Sequence, residues 1–210
     1  MSMSFGVTGH RNFASDDARL TALVLAEMQR AKAELDPASQ AALREAGTVV
    51  SALAEGADRL VARVGLDKLG MALVVPLPMP VDGYMMDFGS DAVKAEFNGL
   101  LARAETIIEA PILAPGETWR QYTEDRNHQY AWAGAYLVIA CDVLIALWDG
   151  KPARGTGGTA HVVDWFLAGT TPAPYGLGSR RLGAGATLKA RRLVHIVPDS
   201  GEIHRRDVAR

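Results

Sequence analysis

Apolar residues fall along this chain in two arrangements. Short continuous runs occur at residues 3–8 (MSFGVT), 48–53 (TVVSAL), 71–77 (MALVVPL), 142–148 (DVLIALW) and 192–197 (RLVHIV). These predict strands buried on both faces, with a shorter strand at 106–108. Between them, apolar residues recur at helical spacing. Leu20, Leu23, Val24, Met28, Ala31 and Leu35 mark one helix. Ser15, with Asp16 and Asp17 behind it, starts that helix and Asp36-Pro37 ends it. Ala57, Leu60, Val61 and Val64 mark a second, and further helices are predicted over 91–104, 117–140 and 159–167.

Strands alternating with helices define the fold class as α/β: a Rossmann-like open parallel sheet with helices on both faces. No internal repeat or linker divides the chain. The expected organisation is one domain over 1–198, with irregular excursions at about 78–120 and 170–190. A polar tail, 199–210, is expected to lack regular structure.

Composition narrows the partners. Lys plus Arg is 22 and Asp plus Glu is 24, a near-neutral balance that gives no footprint for long nucleic acids. DNA is therefore not the expected partner, and the basic cluster of Arg180, Arg181, Lys189, Arg191 and Arg192 is the only local argument for it. A small anion needs only a local positive pocket. Cys141 is the sole cysteine, which excludes an intrachain disulfide and reads as a small buried hydrophobe. The longest apolar run, 136–148, is too short for a bilayer and is broken by Asp142. With no leader-like start, cytoplasm is the expected compartment. The five histidines show no metal-ligand spacing, so neither a metal nor a cofactor is expected. No GxSxG elbow supports nucleophilic hydrolysis.

In open parallel sheets ligands bind beyond the carboxyl ends of the strands. Thr8-Gly9-His10-Arg11 follows the first strand, Ala54-Glu55-Gly56-Ala57-Asp58 the second, and Asp149-Gly150 through Gly157-Gly158-Thr159 the strand at 142–148. The last of these reads as a phosphate cradle, with glycines admitting an anion to main-chain N–H groups at a helix start; the plainer reading is a Gly-rich turn. It is neither a Walker loop nor a GxGxxG fingerprint. His10 and Arg11 supply donors, or cap a loop. Glu55 and Asp58 suit ribose hydroxyls, although Asp58 also suits a first helical turn. Arg126 and Tyr130, one turn apart, suit a phosphate and a base or ribose; the alternative is an ion pair and a buried aromatic.

The segments GVTGHRNF, SALAEGADRLVA, PLPMPVDGYMMDF and CDVLIALWDGKPARGTGGTAHVV resemble the SLOG superfamily over roughly residues 3–167. That superfamily groups LOG-type ("lysine decarboxylase-like") phosphoribohydrolases, DNA-processing proteins and sensor domains for nucleotide-derived signals. The resemblance implies a nucleotide-derived ligand at the glycine loop. LOG enzymes carry a PGGxGTxxE-like loop whose glutamate works in cleaving an N-glycosidic bond. Here Gly157-Gly158-Thr159 matches the glycine-threonine core, and Val162 stands where the glutamate falls. Such cleavage needs a carboxylate near the anomeric carbon. Binding or sensing without hydrolysis is therefore the first expectation. Cleavage of a nucleoside monophosphate is the alternative, with another carboxylate such as Glu55 in the catalytic role.

The stretch 117–140 is apolar around much of its circumference: Tyr130, Trp132, Ala133, Tyr136, Leu137, Val138 and Ile139 do not fit one stripe. Such a helix is buried on more than one side. A homodimer or higher homo-oligomer through this helix is the expectation, and the alternative is cover from 78–116 or from the arm at 170–190.

Overall fold

The computed structural model describes residues 3–13, 17–35, 47–114, 116–121, 123–153, 155–175 and 190–209. Its elements in chain order are β1 (Ser4–Gly9), α1 (Asp17–Leu35), β2 (Thr48–Val50) and α2 (Ala57–Arg63), which runs on into a π-helical turn at Val64–Lys68. β3 (Ala72–Leu77), α3 (Val81–Met85), α4 (Asp91–Leu101), β4 (Thr106–Glu109) and α5 (Glu124–Ala140) follow. β5 (Val143–Leu147), α6 (Thr159–Ala168), β6 (Ala190–Ile196) and β7 (Ile203–Ala209) complete the series.

The strands form one seven-stranded sheet in the order β4-β3-β2-β1-β5-β6-β7. β1 to β6 are mutually parallel and β7 pairs antiparallel to β6. From β1 the chain builds outward to β4 on one side, then returns to lay β5 and β6 on the other. The strand order therefore reverses between β1 and β5, where Gly9 stands beside Leu147.

Alternate residues of each strand enter different cores. Phe5, Val7, Val49, Leu73, Val75, Val143, Ile145 and Val194 pack beneath α1, α2 and α4. On the opposite face, Val50 packs beneath α5, and Leu144, Ala146 and Leu193 beneath α6. Burial on both faces explains why the strands read as unbroken apolar runs. Cys141 is buried, burial pushes its thiol up to about 12, and a Cβ on Gly6 would lie 2.7 Å from its sulfur. It packs as a small apolar residue.

Several expectations need correction. The tail beyond Asp199 is ordered into β7, whose α1-facing side carries charge where an inner strand carries aliphatics. Arg205 pairs with Glu27 of α1 at 2.6 Å, and Arg192 of β6 bonds both Asp207 and Glu34. The strand predicted over 48–53 ends at Val50, and the helix predicted from Glu117 is a 3-10 turn at Thr118–Arg120 before α5 begins at Glu124. α5 is covered within the chain: Ala110, Leu113, Trp165 and Tyr175 pack on Ala131, Trp132, Tyr136 and Leu137. Part of its apolar girth is thereby covered from within the chain. Of the basic cluster, Arg191 and Arg192 are buried in internal contacts. Ser15, the Asp36-Pro37 stop, Arg180, Arg181 and Lys189 lie outside the described residues. No helix among the described residues is long and apolar enough to cross a membrane.

Candidate functional site

A cleft of about 370 Å³ opens at the carboxyl end of the sheet, where β1 and β5 part. Val7, Thr8 and Gly9 of β1 form its base. Arg11, Asp58, Tyr84 and Tyr130 wall one part, and residues 155–159 wall another. Ala52, Ala54, Ala133, Gly134, Leu137 and Val162 give a small, apolar floor.

The glycines permit this convergence by close backbone packing. Gly56 has φ 75°, and a Cβ there would lie 2.3 Å from the Arg11 carbonyl oxygen. His10 O accepts from Ala57 N, so the loop after β1 caps the start of α2. Gly157 has φ 81°, and its Cβ would meet the Ala131 backbone at 2.6 Å. Gly158 N–H closes a turn on Gly155 O, and Gly158 becomes the N-cap of the ten-residue α6 with no side-chain cap. No side chain caps the N–H groups of that first turn, which lie at the positive end of the helix dipole, an arrangement chemically suited to an anion. The Thr156 hydroxyl donates to Glu124 of α5 at 2.5 Å, which fastens the glycine loop over the cleft mouth. That bond and a second from Asn127 hold the Glu124 carboxyl below its usual range. Thr8 and Thr159 hydroxyls stand 3.4 Å apart across the base.

Asp58 lies on the inner wall and is 7% exposed. The chain after β2 curls around it: Leu53 takes a positive φ of 60°, held by Arg59 Nε donating to its carbonyl, and Ala54 N–H donates to Asp58 Oδ2 at 3.3 Å. Burial pushes the Asp58 carboxyl up to about 7, against the opposing pull of Ala54, Arg11 and Arg59. The Tyr84 phenol is also pushed up by burial, so it remains a donor. Tyr84 and Tyr130 pack edge to face at 6.0 Å, and the Arg11 guanidinium sits 5.6 Å over the Tyr130 ring.

Of the sequence candidates, Gly9, Arg11, Asp58, Tyr130, Gly157, Gly158 and Thr159 meet around this cleft. The others share the same edge but do not line it. His10 accepts the Asp149 N–H at 3.2 Å, and Asp149 also pairs with Lys151, whose hydrogen bond holds its carboxyl well below the usual range. These residues clasp two loops together, with Gly150 exposed beside them. Glu55 and Gly56 border a neighbouring cavity of about 250 Å³ with Arg59, Arg63 and Glu96, so Glu55 is no carboxylate of the main cleft. Arg126 is 2% exposed, pairs with Asp87 at 2.7 Å and donates to the Trp119 and Gly83 carbonyls. It braces the 81–88 segment against α5, which is the ion-pair alternative. Among the described residues no group of His, Cys, Asp and Glu is arranged to hold a metal.

Tyr84 and Asn127 also line the cleft and are not among the sequence candidates, whereas Thr8 and Thr156 fall inside the candidate segments after β1 and β5. Tyr84 had a usable signal: its segment PLPMPVDGYMMDF follows β3, so it too belongs at the carboxyl edge. No protein-family model matches the chain, and comparison with curated proteins returns no match.

Proposed function

We propose that the protein binds a nucleotide or nucleotide-derived small ligand at the carboxyl edge of its sheet. One observation carries this reading: the uncapped N-terminus of α6, with Gly157-Gly158-Thr159, opens into the cleft where the strand order reverses. Such switch points are where open α/β sheets receive ligands. A helix start of this kind suits a phosphate, and Arg11 adds positive charge. The floor of alanine, glycine and leucine leaves room for a flat ring. The SLOG resemblance points to the same loop. Mass spectrometry of small molecules released on denaturation, with thermal shifts against a nucleotide panel, tests the reading. At least one nucleotide raises Tm, and Gly157→Val removes the rise. No released ligand and no shift from any nucleotide overturns it.

A second reading, cleavage of a nucleoside monophosphate to base and ribose phosphate, has one observation in its favour. Val162 lies in the cleft floor, yet Asp58 brings a carboxyl poised near neutrality to the same cleft. Water would form the new O–C1′ bond as the C1′–N bond breaks, with its proton passing through Asp58 to the departing base. Free base released from AMP, and none with Asp58→Asn, is the expected result; no release from any nucleoside monophosphate ends this reading alone.

A further inference from the structure

The inner wall of the cleft has more hydrogen-bonding capacity than the protein uses. A carboxylate offers about four acceptor sites, and among the described residues the main-chain N–H groups of Ala54 and Ala52 are what Asp58 receives. No cation forms an ion pair with Asp58 among the described residues. Its neighbour Arg59 spends Nε and Nη1 on Leu53 O, Val93 O and Glu96, and its Nη2 has no hydrogen-bond partner among the described residues. The hydroxyls of Tyr84, wholly buried, and of Tyr130 have no hydrogen-bond partner among the described residues, and both side chains line the same wall. Buried polar groups are rarely left unsatisfied, because desolvation without a partner is costly. Several such groups facing one cavity mark a network that a ligand completes.

We propose that Asp58, Tyr84 and Tyr130 form a recognition subsite for two adjacent hydrogen-bond donors on the ligand. Asp58 accepts from both donors, and the tyrosine hydroxyls bond to the polar atoms beside them. This rests on the nucleotide-binding reading and narrows it. In a nucleotide, adjacent donors occur as the cis-diol of ribose or as the N–H edge of guanine, and one carboxylate serves either in bidentate fashion.

Binding is coupled to protons. Donors favour the ionised carboxylate, so affinity rises with pH as Asp58 ionises around 7. The groups facing Asp58 are Arg11 from the loop after β1, Arg59 on α2, Tyr84 and Asp87 from the 81–88 segment, and Tyr130 on α5. Of these, Asp87 is paired with Arg126 at 2.7 Å.

Calorimetric titration of the full chain with AMP, GMP, IMP and their 2′-deoxy forms, at pH 6 and 8, tests the subsite. Asp58→Asn is expected to weaken the best-bound nucleotide roughly ten- to a hundredfold. The wild-type gain in affinity from pH 6 to 8 is expected to exceed the variant's by roughly tenfold. The ligand phosphate also titrates near pH 6 but contributes equally to both proteins. Weakening by 2′-deoxygenation, whatever the base, assigns the donors to ribose; preference for GMP, with 2′-deoxygenation tolerated, assigns them to guanine. Unchanged affinity and pH slope in Asp58→Asn overturns the subsite and leaves the phosphate cradle standing. No binding of any nucleotide by the wild type overturns both. Tyr84→Phe decides the matter should Asp58→Asn not fold: several-fold weakening supports the subsite, and unchanged affinity overturns it.

Discussion

Two buried aspartates sit at opposite ends of the sheet and are treated differently. At the amino end, Asp142 accepts from the Ser4 main-chain N–H at 3.0 Å and from the Ser4 hydroxyl at 2.9 Å, while its own N–H bonds back to Ser4. The bonds are reciprocal and stitch β1 to β5. At the carboxyl end, among the described residues, Asp58 receives main-chain bonds only, and beside it two tyrosine hydroxyls go unpartnered. One end of the sheet is closed by reciprocal bonds within the chain; the other is the end where we propose that a ligand supplies them. The lesson is that burial of a carboxylate says little until its partners are traced.

The contrast can be broken by substitution, and the largest effect belongs to Asp58. Its carboxyl titrates at about 7 when folded against 3.8 ordinarily, so the folded state holds more protons across that window and wild-type stability falls as pH rises through it. Asp58→Asn is expected to raise unfolding free energy by up to about 4 kcal/mol at pH 8, fading toward zero near pH 4. Urea denaturation at both pH values measures this; an equal effect at both refutes the assignment. Asp142→Ala runs the other way, costing about 3 kcal/mol by stranding Ser4, with nucleotide-induced thermal shifts preserved. A loss of those shifts in folded protein would show that the two ends are coupled. Gly157→Ala forces a side chain onto a positive φ against the Ala131 backbone, at a cost of about 2 kcal/mol, and is expected to abolish the thermal response to nucleotides. The smallest change is Tyr84→Phe. Removing an unpartnered hydroxyl is expected to alter stability by less than about 1 kcal/mol, which differential scanning calorimetry resolves.

Much of this architecture is written in the chain because its inner strands are buried on both faces. Runs such as VLIAL leave little choice. β7 is hidden from the same logic: on its α1 side Arg205 and Asp207 meet Glu27 and Arg192, so ion pairs stand where aliphatics would have announced a strand. The cleft is half legible. Glycines after β1 and β5 signal close approach whatever the side chains do. Helical spacing put Arg126 and Tyr130 on one face but could not say that Asp87, in a segment of weak periodicity, would claim the arginine. Spacing likewise favours Glu55 as the cleft's carboxylate and leaves Asp58 as a first-turn helix charge. The start of α2 carries Asp58 into the main cleft, and Glu55, before the Gly56 N-cap, is left at its neighbour.

β7 has a consequence for the company this molecule keeps. Every open sheet has two margins, and an unguarded margin is a template on which another chain can zip. On one side Arg205, Arg206 and Asp207 give a visiting strand no apolar seam to grip. The other margin, β4, is four residues long and half-exposes Ile107, with Glu105 and Glu109 as acidic gatekeepers at either end. Fibrous or amorphous self-association is therefore expected to begin at β4, and Ile107→Lys to delay it in a turbidity assay.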